Sequence, residues 1–240
     1  MFNRADSKIL QTVSDNRSQF IIFLAISFVL TSFTVVLFLF DPLIFQRFLG
    51  NINPILIFAL IVLLGFVLLA YLLSTGLFDI FKRENLRGLL LSSILALPFV
   101  IAAILIDLTF PWGADINTLL PESLFFYPTM GFVVEILFHT LPLTLLLLLL
   151  TSLFKNADSE KIILVCILLI SILEPIYQAG FSAGHPLWIM VIDGIRLFFF
   201  SLVQLNIFKR YDFASMYSFR LVYYFIWHII WGTLRLPILF

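Results

Sequence analysis

Seven long apolar stretches, at residues 20–40, 54–74, 89–106, 130–154, 162–179, 187–207 and 216–234, constrain this chain more than any other feature. Each is close to the roughly 20 residues that an α-helix needs to cross a hydrocarbon layer about 30 Å thick. Inside lipid every backbone N–H and C=O must find a partner within the protein, so continuous apolar runs of this length read as helices. The stretch at 89–106 is short for a span. With 62% hydrophobic and 12% charged residues, the chain could not clothe a water-soluble surface. The expected fold is therefore all-α, a polytopic transmembrane helical bundle of about seven spans. It is read as one membrane domain over residues 1–240, with a polar tail at 1–19. The first apolar run is too long for a cleavable signal core and is followed by Asp41-Pro42, so it reads as a retained anchor.

Lysine and arginine in the connections set the expected orientation. Arg4, Lys8, Arg17, Lys82, Arg83, Arg87, Lys155, Lys161, Lys209, Arg210 and Arg220 are assigned to one side, and only Arg47 and Arg235 to the other. The N-terminus is accordingly expected in the cytoplasm and the C-terminus outside. A formal net charge of zero argues against nucleic acid as a partner. The single cysteine, Cys166, lies within an apolar run and reads as core packing. Residues 107–128 lack lysine and arginine and are rich in aromatics and proline, which suits a cap or re-entrant segment at the outer interface. Gly184-His185-Pro186 reads as a short outer turn, with His185 solvated.

An ionisable group within a span is costly and is by default a functional candidate. Counted at 1.5 Å per residue, Glu135, His139, Glu174, Asp193, Arg196 and His228 lie about 8, 14, 7, 9, 14 and 9 Å below the outer boundary. Gln178 and Arg235 fall near that boundary. Glu135 and His139 are four apart and share a helix face, where a carboxylate can orient an imidazole or share a metal with it. Asp193 and Arg196, three apart, are expected to pair within their helix. Tyr224, His228, Trp231 and Arg235 form one stripe, with Tyr224 and Trp231 expected to wall a pocket around His228. The helices at 130–234 thus carry the expected site: Glu135, His139, Glu174 and His228.

The string Val134-Glu135-Ile136-Leu137-Phe138-His139 resembles the first motif of the CPBP family, membrane proteases related to CAAX prenyl endopeptidases and bacteriocin-processing enzymes. That motif reads Glu-Glu-x-x-x-Arg; Val134 stands at its first glutamate and His139 at its arginine. The family's middle motif, Phe-x-x-x-His, has its counterpart here in the stretch bearing Glu174, without a histidine. Its last motif, His-x-x-x-Asn, corresponds to His228-Ile229-Ile230-Trp231-Gly232, with glycine for asparagine. Glu135 and His228 carry over position for position. The resemblance covers roughly the last 115 residues.

It implies an intramembrane peptidase acting on a hydrophobic or prenylated peptide within membrane lipid, in the plasma membrane of a prokaryote. Glu135 would serve as general base or as its orienting carboxylate, His228 as oxyanion or water partner, and His139 and Glu174 would complete the site. The same four residues could instead form a two-histidine, two-carboxylate set chemically suited to zinc. A non-catalytic protein binding a hydrophobic or lipidated partner in the same cavity is the alternative. A transporter is disfavoured, because the polar groups form one layer and do not continue to the cytoplasmic side.

Overall fold

The computed structural model describes residues 11–179 and 186–240. His185, with most of the turn predicted at 184–186, lies outside the described residues. The described residues contain no strand, and seven helices are long and apolar enough to cross a membrane. These are α1 (Arg17–Phe40), α2 (Pro54–Ser74), α3 (Leu86–Thr109), α4 (Ser123–Leu153), α5 (Ser159–Ala179), α6 (Leu187–Arg210) and α7 (Phe213–Leu239). The polytopic helical bundle expected from the sequence is the observed architecture. Its outward faces are apolar, with Phe28 74% and Leu90 70% exposed, while Phe23, Phe132 and Phe213 pack at the centre. Helices that are hydrophobic all round in this way belong in lipid.

Several helices, α3, α4 and α7 most of all, are longer than their apolar stretches. α3 has 24 residues rather than a short span, because Arg87 extends it at one end and Asp107 at the other. α4 begins at Ser123, seven residues ahead of the apolar run, and carries Pro128 inside its first half. Gly88 lets α3 approach α7 closely: a Cβ there would stand 2.7 Å from the Tyr211 ring and 2.8 Å from Ser215 Oγ.

Prolines interrupt two site-bearing helices, because each lacks an N–H and crowds the carbonyl four residues back. Ahead of Pro142, residues Glu135–Thr140 form a π-helical turn, in which Leu141 N donates to Ile136 O and Thr140 Oγ1 to Glu135 O. Ahead of Pro175, α5 breaks between Ile170 and Leu173, and Ser171 Oγ donates to Ile167 O at 2.7 Å. A second π-helical segment, Phe225–Trp231, lies within α7.

The bundle is tied at both ends. At the end with the basic connections, Gln19 Oε1 accepts from the N–H groups of Ile80 and Phe81, and Asp212 from those of Lys82 and Ser215. At the other end, buried Asp107 accepts from Trp112 N, Trp231 Nε1 and the Arg235 guanidinium, which also donates to Trp112 O and Gly113 O. This latch holds the start of the 110–122 connection against α7. Arg235, four residues from the end of α7, is buried there in an ion pair with Asp107.

Candidate buried polar site

Glu135, His139 and Glu174 meet in the interior, at 0%, 1% and 4% exposure. What joins them is Arg220, itself 1% exposed. Its NH1 and NH2 donate to the two oxygens of Glu174 at 2.9 and 2.8 Å, a bidentate pair, while Nε donates to Glu135 Oε1. The planar guanidinium suits this bridging task, which a lysine could not perform. Gln204 on α6 closes the ring: its amide nitrogen donates to Glu135 Oε1 and its oxygen accepts from Arg220 NH2 at 3.0 Å. Ser201 Oγ donates to Glu174 Oε2 at 3.1 Å.

One edge of this ring is left open. Glu135 Oε2 lies 3.1 Å from His139 Nδ1, and His139 Nε2 lies 3.8 Å from Glu174 Oε2. Neither imidazole nitrogen is aligned for a hydrogen bond, and Glu135 Oε2 has no hydrogen-bond partner either. Buried polar atoms are rarely left so. The π-helical turn ahead of Pro142 presents this pair, and such turns occur often at functional sites.

His228 stands apart, which corrects the expected ring of four. It is eight residues beyond Arg220 on α7, about 12 Å along the axis. Its Nδ1 lies 2.6 Å from Asn117 Oδ1, and its ring stacks on Tyr127 at 4.3 Å with Tyr224 edge-on at 4.8 Å. Tyr127, not Trp231, is the second wall, because Trp231 turns to Asp107. Asn117 reaches this place because residue 232 is glycine: a Cβ there would meet the Asn117 side chain at 3.0 Å. Tyr224 links the two centres, its hydroxyl accepting from Arg220 NH1 at 3.2 Å.

The depth assignment changes with the helix bounds. Glu135 is twelve residues into α4, about 18 Å from its start rather than close under it, while Glu174 stays five residues from Ala179, where the sequence count puts it. Arg220, counted with the cytoplasmic connection, belongs to the site instead. The expected Asp193–Arg196 pair is present at 2.7 Å, and Arg196 NH1 also donates to Tyr223 Oη at 2.8 Å. Cys166 is buried in the core.

The residues do not fit zinc. A guanidinium occupies the position between the carboxylates that a cation would take, and His228 is too far along α7 to join the other three. Among the described residues no three His, Cys, Asp or Glu side chains are placed to hold a metal ion. Arg220, Gln204 and Asn117 were not among the expected site residues. For Arg220 a signal existed, since it lies inside the apolar stretch at 216–234. Asn117, in a connection, gave none. No family model, curated protein or solved structure matches this chain.

Proposed function

We propose that this protein is an intramembrane peptidase of the CPBP type, acting on a membrane or lipidated peptide in a prokaryotic plasma membrane. The observation that carries the reading is the open edge of the buried ring. Arg220 and Gln204 hold one oxygen of Glu135, leaving the other toward His139. A carboxylate fixed in this way beside an imidazole can take a proton from water as it attacks a peptide carbonyl. The same pair can then return that proton to the leaving amine. Arg220, whose five N–H groups are all committed within the ring and to Tyr224, positions the two carboxylates.

Asn117 supports the resemblance on a second count. The family's last motif pairs a histidine with an asparagine four residues later; here position 232 is glycine, and Asn117 fills that space beside His228. A connection supplies the amide that α7 lacks.

The test is a screen of membrane-peptide substrates with wild type and Glu135→Gln. Cleavage is expected to fall by about 10²–10⁴-fold in the variant, the usual contribution of a positioned general base. Unchanged turnover would remove Glu135 from the chemistry. One observation favours the non-catalytic alternative: both oxygens of Glu174 and one of Glu135 are already committed to Arg220. On that reading the ring is an internal brace. A lipidated ligand would then bind equally well to Glu135→Gln, and no product would form with either protein.

A further inference from the structure

We propose that the groove between α4 and α7 seats the acyl chain of a membrane-resident amphiphile and brings its polar end to Asn117 and His228. The proposal rests on the reading above, in which the interior acts on molecules embedded in the membrane. The groove has a volume of about 300 Å³ and is lined by Leu124, Tyr127, Pro128, Leu221, Tyr224 and Phe225, among others. Leu124 and Phe225 are 44% and 49% exposed on the outward faces of spanning helices, so its mouth opens sideways onto hydrocarbon.

The lining decides the class of occupant. A bare peptide backbone there would leave its N–H and C=O groups without partners, which hydrocarbon does not tolerate. An acyl chain has no such groups. Yet lipid tails are as apolar as the groove, so burial alone would not draw a chain out of the bilayer. Selection needs a polar anchor, and the floor leads to one. Tyr127 lines the groove, stacks on His228 and donates from its hydroxyl to Asn117. Asn117 is 7% exposed, and its amide nitrogen has no hydrogen-bond partner, a donor suited to an ester or amide carbonyl at the chain's end. Tyr224, the other floor residue, accepts from Arg220, so the same chain would end one aromatic ring away from the buried cluster.

A fatty-acyl amide carrying a diazirine in its chain would test this on the full-length protein in phosphatidylcholine nanodiscs, with crosslinked residues mapped by mass spectrometry. Labels are expected on residues 124–128 and 221–229. They should be lost in Val222→Trp, which fills the groove, and weakened in Asn117→Ala. A second membrane-facing groove, between α5 and α6, provides the control: Gly194 lines it and has open space at its Cβ position, so Gly194→Leu should leave the labels unchanged. Labels spread over all outward faces of the wild type, or gathered at the Gly194 groove, would overturn the proposal whether or not Val222→Trp folds. Labelling is read without turnover. Capture that persists in a protein cleaving no peptide therefore supports the groove while ending the peptidase reading. Peptide cleavage with wild-type labels absent ends the groove proposal alone.

Discussion

Two carboxylates buried without a counter-charge would each carry a desolvation penalty of several kcal/mol, and in this chain one guanidinium answers both. Removing it should therefore cost more than removing either partner. Arg220→Met is expected to destabilise the protein by about 3–5 kcal/mol. Much of that should return when Glu135 and Glu174 are both changed to Gln in the same chain. Unfolding by denaturant in detergent measures all three proteins, and additive losses would show that the ring is not one unit. The same geometry predicts that chelators leave the midpoint of thermal unfolding unchanged, since Arg220 stands where a cation would bind. A fall of several degrees on chelation would reopen the metal reading.

At the scale of elements, both histidines of the interior lie in π-helical turns, His139 in α4 and His228 in α7. The first has a reason in the sequence, Pro142, whose missing N–H shifts the preceding hydrogen bonds by one residue. The structure offers no comparable cause for the second. Close packing of the 110–122 connection onto α7 depends on residue 232 lacking a side chain. Gly232→Leu should push Asn117 off His228 and loosen that connection, while the Asp107–Arg235 latch still holds its start. Hydrogen exchange across residues 113–120 should rise relative to wild type, with exchange in the α1–α2 pair unaltered. Unaltered protection at 113–120 would mean that the loop owes its position to the latch alone.

For the whole molecule, moving Arg220 and Arg235 into the interior leaves ten basic residues against Arg47, so the charge asymmetry that sets orientation survives the correction. Reporter fusions should place the N-terminus in the cytoplasm and the C-terminus outside. A cytoplasmic C-terminus would invert every depth assigned above. The spans themselves were legible because hydrophobicity along a chain is a local property, and lipid leaves helices as the means by which such runs can cross. Glu135, His139 and Glu174 were legible for a similar reason, as a charge in an apolar run marks itself. Arg220 was misread because the same residue looks alike as a cytoplasmic anchor and as a buried counter-ion, and only its neighbours distinguish the two. The grouping of His228 with Asn117 was beyond reach altogether. It depends on a connection folding back 111 residues along the chain, to a gap left by a missing side chain. Composition and periodicity thus settled that this chain forms a membrane bundle with ionisable groups at its centre. Which of those groups face one another was decided by packing, because contacts between distant segments leave no periodic trace in either.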